Sequence, residues 1–455
     1  VENGYIKNRS SLLNHGDLKL REMALDIIDH ALRAADPYTA ASRLLHVEGD
    51  VLSVGDSSFD LRGYERIFIV GAGKASRGIA QALDEKLGDR ITDGLFILKF
   101  GDETSLDHTR VIYASHPVPD KKSLAGATAL MELSDGFTEN DLVIAGITGG
   151  SSALLALPAQ GISLDDIKEV NRILLLSGAD IFQINAIRKH LSRIKGGWLA
   201  NSILPATLIN LTVSDVVGDA LDYITGPTVP DTSSFDNARA VMDEYELWDR
   251  FPRSASEYIR NGSEKNETPK EFDGKPLYTW VLVSGDAACV GAHMRAIELG
   301  FNSIILTSML EGEAKDAGAF LASVAKEIRL FDRPIQQPCA VILGGENVVS
   351  IGSNKPGSGG PNQEFALSAS LKIANMKNVL VVSIDTDGSD GPTYAAGAVV
   401  DGSSALLASS KGMSPEVALK QHDTASILQE IGDDIQTGPT GTNVNDLKVL
   451  LVDRE

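Results

Sequence analysis

Cysteine is nearly absent: Cys289 and Cys339 are the only two in 455 residues. That excludes a disulfide framework and a cysteine-rich zinc site, and it leads to the expectation of a reducing, cytoplasmic location. Long apolar runs are missing as well. The runs present, such as residues 173–176, are core-sized and far below the roughly 20 residues a membrane helix needs. The opening stretch, VENGYIKNRSSLLNHGD, has no apolar core of the kind that directs secretion, so no signal peptide is expected. Positive charge is in deficit: 41 Lys and Arg against 62 Asp and Glu leave a net charge of −21. Without an electropositive surface, nucleic acids and anionic membranes are poor partners. HExxH, CxxC and protein-kinase motifs are also absent.

What is present is an ordinary globular composition, 43% hydrophobic and 23% charged, with a repeating local theme. Short β-branched runs end in Gly-rich or polar turns, and helical patterns follow. The runs fall at 66–70, 94–98, 111–114, 142–147, 206–213, 279–284, 303–306, 340–343, 379–384 and 397–400, with a last strand at 448–452. Most are continuously apolar, as strands buried on both faces are. This predicts an α/β protein with two α/β domains and mainly parallel sheets. The polar stretch 261–275, NGSEKNETPKEFDGK, is the expected boundary, with domains at 17–265 and 276–455; a surface loop is the competing reading.

Ligands of parallel α/β sheets bind at the carboxyl ends of strands, so the residues after each run carry the functional signal. The first run leads into Gly71-Ala72-Gly73-Lys74-Ala75-Ser76. Two glycines let the backbone approach an anion, and Lys74 at a helix start makes sense if an anion offsets its conflict with the helix dipole. The third glycine of a dinucleotide fingerprint is replaced by Ser76, and the P-loop pattern is not met. Thr148-Gly149-Gly150-Ser151-Ser152 forms a second candidate anion cradle, with ordinary helix capping as the alternative. The segment 187–197 is dense in cations, with Arg188, Lys189, His190, Arg193 and Lys195 in an acidic chain. Asp215 ends a strand, where a general base or a turn-capping residue would stand. Gly344-Gly345-Glu346 and the Gly-rich 352–360, leading into Asn362-Gln363-Glu364, suit a nucleotide or a hairpin. Asp385, Asp387 and Asp390 concentrate negative charge in six positions, which points to Mg²⁺ with a phosphate substrate or to a cluster of Asx turns.

Taken in order, these segments resemble the class II glycerate kinases, also called the MOFRL family. GAGKAS at 71–76, SHPVPD at 115–120, TGGSSALL at 148–155, RKHLSRIKGG at 188–197, SDVVGD at 214–219 and GPTVPD at 226–231 are similar to the family's N-terminal domain. GGE at 344–346, GGPNQEFAL at 359–367, DTDGSDGPTYAAGAVVD at 385–401 and TGTNVNDL at 440–447 are similar to its C-terminal domain. One position departs: Pro361 stands where members often carry Arg. The resemblance implies a Rossmann-like N-terminal domain, a second α/β domain and an active site in the cleft between them. It implies ATP-dependent, Mg²⁺-assisted phosphorylation of D-glycerate. The similarity to archaeal members points to the 2-hydroxyl. On this reading Lys74, Lys195 and Asp215 are catalytic, and Thr148 to Ser152, Lys189 and Arg193 bind substrate and phosphate. Gly71, Gly73, Gly344, Gly345, Glu346, Asn362, Gln363 and Glu364 bind the nucleotide, and Asp385, Asp387 and Asp390 hold the metal. The expected partners are glycerate and ATP, with a homodimer left open.

Three rival readings are weighed against it. An NAD(P)H-dependent hydroxypyruvate reductase would use GAGKAS as a dinucleotide turn, but lacks the third glycine and the acidic residue that binds ribose. A haloacid-dehalogenase-like phosphatase would use Asp385 as nucleophile, but too little chain follows it for the usual sheet. A phosphosugar-binding module leaves the acidic loop unexplained.

Overall fold

The computed structural model describes residues 4–214, 226–272, 274–351 and 357–454. The chain divides into two compact units, one of residues 37–283 and one of residues 1–36 with 284–455.

The first unit opens with a small antiparallel meander, β1 (Leu45–Glu48), β2 (Val51–Val54) and β3 (Ser57–Asp60). Six parallel strands follow: β4 (Arg66–Ala72), β5 (Asp93–Lys99), β6 (Arg110–Ala114), β7 (Asp141–Thr148), β8 (Thr207–Val213) and β9 (Leu277–Val283). Their order, β6-β5-β4-β7-β8-β9, is that of a dinucleotide-binding sheet. Every residue of β7 and β8 is buried, which accounts for their uninterrupted apolar sequences. Strand order reverses between β4 and β7, where Ala72 stands level with Ile147. The turns after these two strands therefore emerge side by side, at the place where such sheets bind ligands. Between β7 and β9 the chain also builds a helical lobe. Its helices Leu164–Leu175, Ile181–His190, Phe235–Glu244 and Arg253–Arg260 share a core that includes Val170, Leu174, Ile187, Val241 and Ile259.

The second unit holds β10 (Asn302–Leu310), β11 (Cys339–Gly345), β12 (Val379–Asp385), β13 (Gly397–Asp401), β14 (Asp434–Ile435) and β15 (Asp446–Val452), in the order β10-β11-β15-β12-β13-β14. Here the expectation of a mainly parallel sheet fails. Only β10 and β11 run parallel, and every other pairing is antiparallel. The physical reason is the insertion of β15 between β11 and β12 in the opposite direction. A continuous apolar run reports burial on both faces and carries no information on strand direction.

The units are also cut at other points than those expected. Helix Leu18–Ala34 packs with residues 284–455, where a β-carbon at Gly291 would meet Ala34 at 2.5 Å. Its Arg21 is fully buried and bonds Asp401 through Nε at 2.8 Å and Asp433 through Nη1 at 2.7 Å. Strand β9 lies in the first unit, as does the stretch 261–275. Both buried cysteines are free, and burial pushes each thiol up to about 12. Among the described residues no helix is long and apolar enough to cross a membrane.

Candidate active site

The two turns at the switch point are locked together. The Lys74 N–H donates to the Gly149 carbonyl at 2.8 Å, and the Ala75 N–H to Thr148 Oγ1 at 3.1 Å. Ser76, in the place of a fingerprint's third glycine, donates Oγ–H to the Gly146 carbonyl at 2.9 Å. Gly73 has φ 144° and packs directly on Thr148, while Gly71 packs on Phe96. These glycines serve the close contact between the strands and their turns. Gly150, at φ 83°, leaves space that Lys74 and His116 border: a β-carbon there would lie 2.8 Å from Lys74 Cγ and 3.3 Å from His116 Nε2. His116 follows β6, so three strand ends converge on one glycine. Beside it Ser151 is buried, and its Oγ has no hydrogen-bond partner among the described residues. A buried hydroxyl without a partner costs free energy unless a ligand completes it, so this turn is built to receive a polar group.

The basic segment divides by burial. Residues 157–159 continue from helix Ser151–Leu154, and they bond the loop after helix Ile181–His190 through Ala159 N–H to Leu191 O at 2.9 Å and Arg193 N–H to Leu157 O at 3.0 Å. Lys189 is buried and pairs with Asp231 at 3.1 Å. Burial works against the Asp231 carboxylate, but Lys189, Ser233 and Thr268 outweigh it and hold its pKa below the usual range. Lys189 is thus tied to Asp231 within its own unit. His190 bonds Glu267 at 2.6 Å. Arg193 is exposed. Lys195 is buried beside Arg188, and burial, with the Arg188 charge, pushes it down to about 7.

In the second unit the three aspartates part company. Asp390 caps helix Pro361–Lys372: its two oxygens accept the N–H groups of Asn362 at 3.0 Å and Gln363 at 2.9 Å, and the Gln363 amide at 3.0 Å. Burial raises Asp390 to about 6, against the pull of those N–H donors. Asp387 accepts from Ser389, and Asp385 from the Asp387 N–H at 2.9 Å, so both sit in Asx turns. Among the described residues no group of three His, Cys, Asp or Glu is arranged to hold a metal ion. Asp390 is committed to the helix, apart from Asp385 and Asp387. Asn362 bridges Asp390 and Asp446, bonding the latter at 2.7 Å, and Asp446 accepts from buried Lys448 at 2.7 Å. Glu364 bonds His422 at 2.6 Å, and burial raises its pKa. Asn362, Gln363 and Glu364 therefore point into the packing of their own unit. Gly344 and Gly345 pack on Cys289 and on the Leu310 backbone, and Glu346 is exposed.

Known proteins match this chain over nearly its whole length. The family profile described as "Domain of unknown function (DUF4147)" matches residues 23–260, and that described as "MOFRL family" matches residues 339–446. The chain is 41% identical to a glycerate 2-kinase of Pyrococcus horikoshii over 96% of its length and 98% of the relative's. It belongs to the MOFRL-type, class II glycerate kinase family. A D-glycerate 2-kinase of Thermotoga maritima is 38% identical over 95% of the chain and 98% of its own length. The crystal structure of a glycerate kinase from Thermotoga maritima superposes with a TM-score of 0.81 at 37% identity, covering 95% of this chain and 99% of that one.

Within this class II glycerate kinase, the structure brings Lys74 together with Gly149, Gly150 and Ser151. Lys189, Asn362, Glu364 and Asp390 have partners in the packing of their own units. Asp215 lies outside the described residues. Residue reasoning did not single out His116, although it stands in the SHPVPD motif; its position after a strand end was the available signal. Asp231 had no such signal, since Lys189 and Thr268 are distant in sequence, and neither had the bond from Asn362 to Asp446.

Proposed function

We propose that this chain is a glycerate 2-kinase that transfers the terminal phosphoryl group of ATP to the 2-hydroxyl of D-glycerate. The observation that carries this reading is the interlocked switch-point site, with Lys74 and His116 around Gly150 and the unpartnered hydroxyl of Ser151. Phosphoryl transfer needs positioning and charge neutralisation more than covalent chemistry. Lys74 neutralises charge on the phosphoryl group in flight. Ser151, Ser152 and the backbone of Gly149 and Gly150 orient the acceptor. His116 borders the same space and donates or accepts at Nε2. Asp215 is assigned the proton of the attacking hydroxyl. Mg²⁺ takes oxygen ligands and commonly needs only one or two protein carboxylates beside the nucleotide phosphates, so Asp385 and Asp387 suit it without a third ligand. When bound, it would supply charge neutralisation on the phosphates of ATP.

The test is ³¹P NMR of the protein with ATP, Mg²⁺ and D-glycerate. A phosphomonoester signal at the 2-phosphoglycerate position is expected. A 3-phosphoglycerate signal would keep the kinase and reverse the choice of hydroxyl. No glycerate-dependent signal from folded protein, with NADH oxidised on adding hydroxypyruvate, would replace the kinase by a reductase. Lys74→Ala should lower kcat/KM by about 10²–10³, the usual loss for a group that stabilises transition-state charge.

A further inference from the structure

Two cations share a small cavity in the helical lobe. Arg188 and Lys195 line it with Asn171, and Leu157, Ile167 and Val170 supply an apolar wall. The cavity holds about 10 Å³, space for one water-sized occupant. Lys195 is 5% exposed, and among the described residues its Nζ has neither a carboxylate nor another hydrogen-bond acceptor. Arg188 donates Nε–H to Asn171 Oδ1 at 2.8 Å and likewise meets no carboxylate among them. The neighbouring basic residues are treated differently. Lys189 has Asp231, and His190 has Glu267. Among the described residues, the charge acting on Lys195 is the like charge of Arg188. The cavity-lining residues from helix Leu164–Leu175 are Ile167, Val170 and Asn171, and those from the loop before it are Ala156, Leu157 and Pro158, so neither adds a charge. A buried lysine beside a partly buried arginine, with no counter-charge among the described residues, is costly, and the cavity they line has room for one.

We propose that Arg188 and Lys195 form a binding site for one small anion, halide-sized or a single carboxylate group, with Asn171 fixing the guanidinium. The cavity is too small for a nucleotide or a whole sugar acid, which limits the ligand to an ion or one end of a molecule. A free inorganic anion and the carboxylate of an acid substrate share this chemistry. Only the second source rests on the kinase reading.

Crystals of the full chain grown in bromide distinguish these cases at the bromine absorption edge. An anomalous peak between Arg188 and Lys195 is expected, and none in Lys195→Met, a variant whose apolar side chain suits the wall and keeps the fold. Displacement of the peak by D-glycerate but not by glycerol identifies the substrate carboxylate as the occupant. Persistence of the peak with glycerate bound elsewhere identifies a free-anion site. Either peak survives a failure of the kinase assay, so the two readings fail separately. In solution, ¹⁵N-lysine NMR should place the Lys195 titration near 7 in anion-free buffer and move it up by roughly one unit in high chloride or glycerate, since an opposite charge favours the ionised form. No anomalous peak, with a Lys195 midpoint unmoved by chloride and glycerate, would overturn the site.

Discussion

At φ 83°, Gly150 occupies backbone space that side chains rarely enter, and a β-carbon would meet Lys74 Cγ at 2.8 Å. Gly150→Ala should displace Lys74 and lower kcat/KM roughly tenfold to a hundredfold, since small misplacement of a charge-stabilising group is costly. Steady-state kinetics beside a melting curve separates this from unfolding. Ser151 gives the complementary test. Its buried Oγ has no partner, so Ser151→Ala should leave stability unchanged or raise it by about 1 kcal/mol. Glycerate phosphorylation should nonetheless weaken. A raised Tm with unaltered kcat/KM would remove this hydroxyl from the site. Stability and activity moving in opposite directions is the behaviour of a residue kept for its ligand.

Helix Pro361–Lys372 depends on a carboxylate from a distant turn. Burial raises Asp390 to about 6, above its unfolded value of 3.8. For an acid shifted upward, the contribution to stability is full below the unfolded pKa and is lost as pH rises through the folded one. Relative to Asp390→Asn, the wild-type chain should lose on the order of 3 kcal/mol between about pH 4 and 7, measurable by denaturant titration at each pH. Helix Ile181–His190 is held by the Lys189–Asp231 pair. Lys189→Ala leaves a buried carboxylate without its cation and should cost about 3–5 kcal/mol. A loss of activity without loss of stability would instead return Lys189 to substrate binding. These two residues mark how far the sequence can be read. Apolar runs showed where the main strands lie, because burial on both faces is written into each run. The short meander β1 to β3 was missed, because its strands are only four residues long and partly polar. The direction of β15 was not legible, nor were Asp390 as a helix cap and Asp231 as a counter-ion. Each of these depends on a partner brought close only by folding. The meeting of Lys74 with the 148–152 turn was legible because both follow strand ends.

Over the whole molecule, Arg21 ties helix Leu18–Ala34 to residues 284–455 of its unit through Asp401 and Asp433. Arg21→Ala would leave two buried carboxylates short of their cation and should destabilise that unit by about 3–5 kcal/mol. Calorimetry should then show the transition of that unit lowered, with the transition of residues 37–283 little changed. A uniform shift of both transitions would mean that the two units unfold as one. The expectation of two α/β bodies came from the number of strands. The assignment of the first helix did not, because a 17-residue amphipathic helix carries no mark of which sheet it will cover.

The discontinuity of the second unit also has a consequence during synthesis. Residues 37–283 leave the ribosome as one uninterrupted piece and can fold as soon as they emerge. Helix Leu18–Ala34 is made earlier but must wait for Asp401 and Asp433. At roughly 5–20 residues per second, that wait lasts tens of seconds, with an apolar helix face uncovered throughout. This helix is thus translated long before its native partners, which makes it a natural client for a chaperone that holds nascent chains.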